Sequence, residues 1–234
     1  MYSLENYLQE RRYPGRGVLL GLHEDGIRAV AAYFIMGRSE NSRNRIFITE
    51  GDGLRTEAFD PAKCSDPSLI IYAPVRMLGN RMIVSNGDQT DTVYDVMQQG
   101  GSFAQALRSR CYEPDAPNYT PRISGLLERQ EGAFRYQLSI LKHDGHAHCL
   151  RFFYEYAQPQ PGCGHLIHTY EDDGKPLPAF CGEPRAVALA GEIDLLTERL
   201  WSALDAENRV SLFVRYLSPD GRMENRIINR NGGR

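Results

Sequence analysis

Hydrophobic and polar positions alternate along the chain in short runs, and most of these runs predict β-strands. They are separated by glycine, asparagine and aspartate residues of the kind that form tight turns. The second run is almost wholly apolar, as expected for a strand that is buried on both faces. The predicted strands are Gly17–Leu22, Ile27–Met36, Arg45–Thr49, Leu54–Phe59, Leu69–Ala73, Arg81–Ser85, Ile123–Leu127, Phe134–Leu141, Cys149–Tyr156, His165–Tyr170, Val210–Leu217 and Arg222–Ile228.

Four segments predict helices, because their apolar residues recur every three or four positions and suitable residues cap their ends. They are Ser3–Arg12, a segment from Thr90 or Asp91 to Gly100, a segment from Ser102 to Arg110, and Leu189–Leu204. Strand hairpins outnumber helices, which argues against a doubly wound parallel sheet. The pattern predicts an α+β fold with helices packed on sheet faces. The sequence contains no linker-like stretch, so we expect a single domain over residues 1–234.

Composition narrows the classes of function. The apolar share of 41% and charged share of 24% are those of an ordinary globular protein. A net charge of -3 argues against broad nucleic-acid binding, which needs a basic surface. No stretch reaches the roughly 18 apolar residues of a membrane span, and the N-terminus does not read as a signal peptide. Five cysteines without CxxC spacing predict free thiols in a reducing cytoplasm.

The stretch Tyr112–Arg122 combines rigidity with chemistry. Its three prolines remove backbone donors and favour extended geometry, so we expect neither a helix nor a central strand to run through it. It nevertheless carries carboxylates, phenols, an amide and a guanidinium. An ordered surface loop and a rigid holder of functional groups both explain it. Two other polar stretches, Gly37–Arg45 and Ser85–Asp91, follow strand-like runs in the same half of the chain.

These two stretches are candidate binding segments for a phosphate. Arg38, Arg43 and Arg45 would offer charge-assisted bonds, and the Asn86-Gly87 turn precedes a predicted helix start, where backbone amides attract anions. The competing interpretation is a solvated turn with surface arginines, and it has comparable weight.

A metal site is the weaker interpretation of the histidines. His143, His146 and His148 surround a predicted turn, and Cys163, His165 and His168 follow in the next loop and strand. Since their spacing matches no recognised metal motif, we expect exposed and packed histidines without a metal. Motifs for nucleotide loops, serine hydrolases and zinc proteases are absent from the sequence.

Read together, the polar stretches resemble a known motif set. GRSENSRNR after a buried strand, IVSNGDQTD, NYTPRI and the later HTYEDDGKPLPAFCGEP are similar to segments of the archaeal-type IMP cyclohydrolase family. The resemblance implies closure of the purine precursor formamido-carboxamide ribonucleotide (FAICAR) to inosine monophosphate, with loss of water and without a cofactor. It also implies a four-layer α-β-β-α sandwich of mostly antiparallel sheets, like that of N-terminal nucleophile hydrolases.

The resemblance also assigns roles to residues. Glu113, Arg45 and Tyr72 become candidate catalytic residues, with Glu113 as general base and the other two as donors to the developing oxyanion. The candidate substrate-binding residues are Arg38, Arg43, Asn86, Gly87 and Arg122. Which of Arg38, Arg43 and Arg45 contacts substrate stays open.

Two alternatives remain at this point. An amide-bond hydrolase on the same fold would need a nucleophile at a processed N-terminus, and the chain opens Met1-Tyr2-Ser3. A purine-nucleotide-binding protein without turnover would keep the pocket and differ only in activity. The oligomeric state is equally open, with a symmetric homo-oligomer as one alternative.

Overall fold

The strands form two sheets in the computed structural model of the chain, which describes residues 1–64, 67 and 69–232. The first sheet has the order β11-β10-β1-β2-β12-β13, and the second the order β3-β4-β5-β6-β7-β8-β9. All neighbouring strands in both sheets pair antiparallel. The fold is therefore mixed α and β, as predicted.

The strands of the first sheet are β1 (Arg16–Leu22), β2 (Ala29–Met36), β10 (Cys163–His168), β11 (Arg185–Ala188), β12 (Arg209–Leu217) and β13 (Met223–Asn229). Those of the second sheet are β3 (Arg45–Glu50), β4 (Gly53–Ala58), β5 (Val75–Leu78), β6 (Arg81–Ser85), β7 (Arg122–Gln130), β8 (Ala133–His143) and β9 (Cys149–Tyr156). The α-helices are α1 (Leu4–Gln9), α2 (Glu40–Arg43), α3 (Gln89–Gln98), α4 (Phe103–Arg108) and α5 (Ile193–Ala203), and a 3₁₀ turn covers Pro61–Lys63.

Strand β2 is buried along its whole length, which confirms the prediction for its apolar run. Side chains alternate between the faces of a strand. Residues such as Ala31 and Tyr33 join a hydrophobic cluster that also contains Val84 and Ile123 of the second sheet. Residues of the opposite face, such as Phe34, join a cluster with the two terminal helices. One core therefore lies between the sheets.

Helices cover the outer face of each sheet. On the first sheet, α1 and α5 pack Leu8 and Leu200 into the cluster that contains Phe34. On the second sheet, α3 and α4 bury Val93 and Phe103 against residues of β6 and β7. These helices are short, so packing of their apolar stripes supplies most of their stability.

The predicted strand Leu69–Ala73 is wrong. The hydroxyl of Thr56 donates to the carbonyl of Ile70 at 2.7 Å and accepts from the amide of Tyr72 at 2.9 Å. A side chain thus satisfies backbone groups that a strand ladder would use, and the strand begins only at Val75, after Pro74.

Other departures are local. Gly37–Arg45 contains the unpredicted short helix α2, closed by a capping box between Ser39 and Ser42. Strand β11 was not predicted. Helix α5 begins at Ile193, later than the pattern predicts, because Gly191 has φ of 87° and cannot continue a helix. Among the residues that the structure describes, no helix is long and apolar enough to span a membrane.

His168 at the end of β10 is fixed in its neutral form. Its Nδ1 lies 2.7 Å from the carbonyl of Tyr170 and must donate to it, so Nε2 accepts from the hydroxyl of Tyr7 at 2.6 Å. Burial lowers the pKa of His168 from 6.5 to about 3, with nearby Arg11 and Arg185 acting in the same direction.

The depressed pKa of His168 predicts a loss of stability in acid. The unfolded chain takes up the proton near pH 6.5 and the folded chain does not, so this stabilisation is lost as the pH falls from 6.5 toward 3. By pH 4.5 the loss in unfolding free energy is about 2.7 kcal/mol. Urea titrations between pH 7 and pH 4.5 should show a shallower loss for His168→Gln than for the wild type. The exposed His146→Gln is the control, and equal pH slopes for all three proteins would contradict the assignment.

Candidate active site

A cavity of about 250 Å³ opens at one end of the central strands of the first sheet, where β1 begins and β2 ends. Arg16 and Met36 line it from these two strands, and Arg45 lines it from the start of β3 in the second sheet. The proline-rich stretch contributes Asp115 and Thr120. The cavity is therefore lined by residues of both sheets and of the proline-rich stretch.

Three guanidinium groups face this cavity, those of Arg16, Arg38 and Arg45. Arg45 is 1% exposed, its Nε donates to the carbonyl of Ser42 at 2.9 Å, and burial lowers its pKa. Its Nη1 is buried and has no acceptor among the residues that the structure describes. An unsatisfied buried donor costs about 1–3 kcal/mol, so this nitrogen favours a ligand that brings an acceptor.

The turn around α2 sets the position of Arg45. The hydroxyl of Ser39 accepts from the amide of Ser42 at 3.1 Å, and that of Ser42 accepts from the amide of Ser39 at 3.0 Å. A Cβ added to Gly37 would lie 2.7 Å from the carbonyl of Ser42, so only glycine lets the turn fold back this closely. Both serines line the cavity beside the arginines.

The proline-rich stretch confirms the prediction that no helix or strand runs through residues 112–121. The carboxylate of Asp115 accepts from the amide of Thr120 at 2.6 Å and from its hydroxyl. The amide of Glu113 donates to the carbonyl of Thr120 at 2.9 Å, which closes the loop on itself. These bonds fix the backbone at Glu113.

Glu113 is the buried carboxylate of the site. It is 1% exposed, and its Oε2 accepts from Nη1 of Arg16 at 3.5 Å. Burial raises its pKa, although the charges of Arg16 and Arg122 oppose the rise. A carboxylate with a raised pKa is a stronger base than one in water, provided that it is ionised.

The turn after β6 meets Glu113 from the other side. Nη1 of Arg122 donates to Asp88 and Gln89 at 2.7 Å each. A Cβ on Gly87 would lie 2.7 Å from Nη1 of Arg122 and 3.6 Å from Oε1 of Glu113. Backbone, guanidinium and carboxylate are therefore packed together here, and the glycine makes the approach possible.

The amide of Asn86 is used within the fold. Its Oδ1 accepts from the amide of Ile123 and from Nε2 of Gln89 at 2.8 Å each, and its Nδ2 donates to the carbonyl of Pro121 at 2.9 Å. In this arrangement Asn86 ties the turn after β6 to the start of β7. Its observed contacts are with the protein itself.

Tyr72 joins the two sheets behind the cavity. Its hydroxyl lies 2.7 Å from that of Tyr33, which comes from β2 in the first sheet. Burial raises the pKa of Tyr33, and the positive charges of Arg16 and Arg45 act against the rise. The pair of phenols therefore lies within the electrostatic reach of two cavity arginines.

Seven of the eight predicted residues fall into three groups. Arg38 and Arg45 line the cavity, while Glu113 and Tyr72 are buried directly behind its arginines. Asn86, Gly87 and Arg122 lie together on the far side of Glu113.

Arg43 lies apart from the other predicted residues. Arg43 lines a separate cavity with Asn44 and Lys63, and its Nε donates to the carbonyl of Gly37 at 2.8 Å. It supports the turn that carries Arg38 and Arg45.

Arg16 is the cavity residue that the sequence analysis missed. Glycines flank it on both sides, at positions 15 and 17. An added Cβ would lie 2.2 Å from the hydroxyl of Thr169 at Gly15 and 2.2 Å from the ring of Phe34 at Gly17. An arginine between two closely packed glycines at a strand start was the available signal.

Within residues 1–64, 67 and 69–232, no cluster of three or more histidine, cysteine or acidic side chains is positioned to hold a metal. Nδ1 of His165 lies 2.7 Å from the hydroxyl of Tyr136, and Nδ1 of His148 lies 2.9 Å from Asp144. Both nitrogens of His168 are occupied as described above.

Comparison with known proteins gives concordant relatives. A sequence model of the family described as "IMP cyclohydrolase-like protein" matches residues 13–221. The chain is 31% identical over 185 residues to the IMP cyclohydrolase of Methanopyrus kandleri, an alignment that covers 72% of this chain and 89% of that protein.

Two further archaeal proteins of the same name are similar over much of the chain. Identity to the IMP cyclohydrolase of Methanothrix thermoacetophila is 28% over 166 residues, covering 69% of this chain and 76% of that protein. Identity to the IMP cyclohydrolase of Haloquadratum walsbyi is 25% over 193 residues, covering 81% and 83%.

The three guanidinium groups predict that the cavity binds a phosphate monoester. We expect Arg38→Met to weaken binding of ribose 5-phosphate by about tenfold, since one charge-assisted contact contributes roughly 1.5 kcal/mol or more. Isothermal titration calorimetry measures the affinity. Arg222→Met, which removes a side chain that is 85% exposed on a hairpin turn, is the matched control. Equal affinities for the two variants would show that Arg38 contributes nothing to anion binding.

Proposed function

The chain belongs to the IMP cyclohydrolase-like protein family, and from that membership we propose that it closes FAICAR to inosine monophosphate. It is a cyclohydrolase that acts on a carbon–nitrogen bond of a purine-precursor ribonucleotide. The observation that carries the assignment to this cavity is a buried carboxylate, Glu113, next to a cavity with three guanidinium groups. Such a site combines a base with donors for a phosphorylated, anionic substrate.

The reaction asks little of the protein beyond geometry and proton handling. The carboxamide nitrogen bonds to the formyl carbon and gives up one proton, and the formyl oxygen becomes a hydroxyl. That hydroxyl then leaves as water with the proton of the formamido nitrogen. Both reacting groups belong to one molecule, so holding them in contact supplies much of the acceleration. No oxidation state changes, so the reaction as written needs no redox cofactor.

Glu113 is the proposed general base. Its raised pKa increases its basicity toward the weakly acidic carboxamide, and the loop bonds around Thr120 hold it still. Its Oε2 lies 3.5 Å from Nη1 of Arg16, which lines the cavity, and the proposal requires the carboxamide to reach it directly or through one water. The proton it accepts is then available to the formyl oxygen, which becomes the hydroxyl.

Arg45 and Tyr72 are the proposed stabilisers of the oxyanion that develops on the formyl oxygen. The unsatisfied Nη1 of Arg45 is already desolvated, so it needs no reorganisation when charge develops. Tyr72 is placed through Tyr33 near the same guanidinium.

Arg38 is the proposed phosphate ligand. It lines the cavity and is partly exposed. Its Nη1 donates to the carboxylate of Asp173 and, at 3.1 Å, to the carbonyl of Gly174. A phosphate would displace the carboxylate of Asp173 from Arg38. That carboxylate is partly exposed and would be hydrated instead. In the proposed site Arg122, Asn86 and Gly87 hold Glu113 and the turn beside it, and Arg43 supports Arg38 and Arg45.

We further propose that the whole chain forms one domain with the four-layer α-β-β-α sandwich of N-terminal nucleophile hydrolases. The three hydrophobic clusters support this order of layers, since one lies between the sheets and each of the others lies under a pair of helices.

Removing the base should abolish turnover without unfolding the protein. We expect Glu113→Gln to lower kcat for inosine monophosphate formation by about 10²–10⁴-fold, the usual contribution of a general base. An absorbance assay with FAICAR measures the rate, and circular dichroism checks the fold.

Glu128→Gln is the control for this substitution, because it changes another buried carboxylate that pairs with two arginines, Arg81 and Arg135, at 3.0 and 2.8 Å. Near-full turnover in Glu113→Gln would reject the general base. Binding of FAICAR without turnover in the wild type would favour a nucleotide-binding protein instead.

The charge of Arg16 predicts a shift in the pH profile. Burial raises the pKa of Glu113 and Arg16 opposes this rise, so Arg16→Gln should raise the pKa further. The base works when ionised, hence kcat/KM increases with pH through this pKa. We therefore expect the acid limb of the profile to move to higher pH in Arg16→Gln and to stay close to the wild type in Arg16→Lys. An unmoved limb in Arg16→Gln would separate Glu113 from the pH dependence.

A further inference from the structure

Strand β9 is a sheet edge that the rest of the described chain leaves uncovered. At another edge, β11, the amide of Tyr2 donates to Ala186 at 3.0 Å and the carbonyl of Tyr2 accepts from Ala188 at 3.1 Å. The edges β3 and β13 are joined by Asn229, whose side chain bonds both backbone groups of Phe47. Among the described residues, β8 is the only segment that pairs with the backbone of β9.

The side chains of β9 are unusually apolar for an open edge. Its sequence is Cys-Leu-Arg-Phe-Phe-Tyr-Glu-Tyr, and Leu150 and Phe152 are 40% and 37% exposed. Proteins commonly protect such edges with lysine, proline or a bulge, and β9 has none of them. An uncovered apolar edge of this length is a template for pairing with another strand.

The two charges of β9 are complementary to each other. Arg151 and Glu155 are both exposed and four residues apart, so they lie on the same face of the strand. Neither has an ion-pair partner in the part of the chain that the structure describes. Arg151 donates only to the carbonyls of Cys149 and Arg110, at 3.1 and 2.8 Å.

We propose that β9 pairs with β9 of a second copy of this chain, antiparallel about a two-fold axis that passes between Phe153 and Phe153 of the second copy. The two second sheets would then form one continuous sheet. A two-fold axis perpendicular to the sheet keeps each face on its own side, so residues opposite each other must share a face. In this register Arg151 faces Glu155 of the second copy, and the symmetry makes this ion pair twice.

The apolar side chains support the same register. Phe152 lies opposite Tyr154 of the second copy, and Leu150 lies opposite Tyr156 of the second copy. Such aromatic and aliphatic cross-strand pairs each contribute a few tenths of a kcal/mol to about 1 kcal/mol. A slip of four residues would bring the dyad to Arg151 or Glu155 and place like charges opposite each other, and a slip of two residues would leave neither charge opposite a charge of the other sign. The charges therefore select the register as well as the partner.

The test is a charge exchange across the two-fold axis. We expect the wild type to dimerise in sedimentation equilibrium at protein concentrations of about 1–100 µM, the range suited to a small interface. Arg151→Glu and Glu155→Arg should each weaken the dimer by at least about tenfold, because each places two like-charge pairs in contact. The double variant Arg151→Glu with Glu155→Arg should restore it. Arg222→Glu, on a distant hairpin turn, is the control and should leave the dimer unchanged.

A wild type that stays monomeric, or single reversals that dimerise as well as the wild type, would overturn the proposal. Should a reversed variant fail to fold, Phe153→Cys decides the question, because the residue at the two-fold axis meets its own copy. In a background with Cys111→Ser, Cys149→Ser and Cys181→Ser, which removes the accessible native thiols of β9 and the surface, mild oxidation should link two chains of Phe153→Cys and not of Phe59→Cys, whose wild-type side chain is 50% exposed on another surface. Equal linkage in both variants would reject the register. This inference does not depend on the proposed catalytic activity.

Discussion

The burial of guanidinium groups beside a single buried carboxylate is the constraint on which the site depends. Arg16 and Arg45 both face the cavity, and Glu113 is the carboxylate that pairs with the former. Taking a charge out of water is costly unless partners replace the water. The protein provides those partners incompletely, since one nitrogen of Arg45 lacks an acceptor within the described chain. In the proposed site, the phosphate and carbonyl oxygens of a substrate would supply the missing acceptor.

The two-sheet architecture positions the charged side chains of this arrangement. Each sheet brings one side of the site, with Arg16 from the first and Arg45 from the second, and the inter-sheet cluster holds them in register. The loop that carries Glu113 is fixed by its own hydrogen bonds before it reaches either sheet. Rigid support of this kind keeps the carboxylate of Glu113 buried in one position.

The sequence predicted the parts of this structure that follow from local periodicity. The apolar run of β2, the hairpins, and the proline-rich segment all have signals within a few residues. What failed depended on contacts between distant residues. Thr56 holds the backbone at Tyr72, sixteen residues away, and removes a strand. The motif resemblance could not separate Arg38 from Arg43 or reveal Arg16, because side-chain direction is decided by tertiary packing.

The contact between the hydroxyls of Tyr33 and Tyr72 has a consequence for how the chain acquires competence during refolding. Tyr33 lies on β2 of the first sheet and Tyr72 lies on the loop between β4 and β5 of the second, so the two hydroxyls meet only when the sheets have docked. Strand formation within each sheet can be complete while the arginines of the cavity are still apart. During refolding, recovery of ligand binding therefore reports the docking of the two sheets. Circular dichroism reports the formation of the strands, which is a separate event.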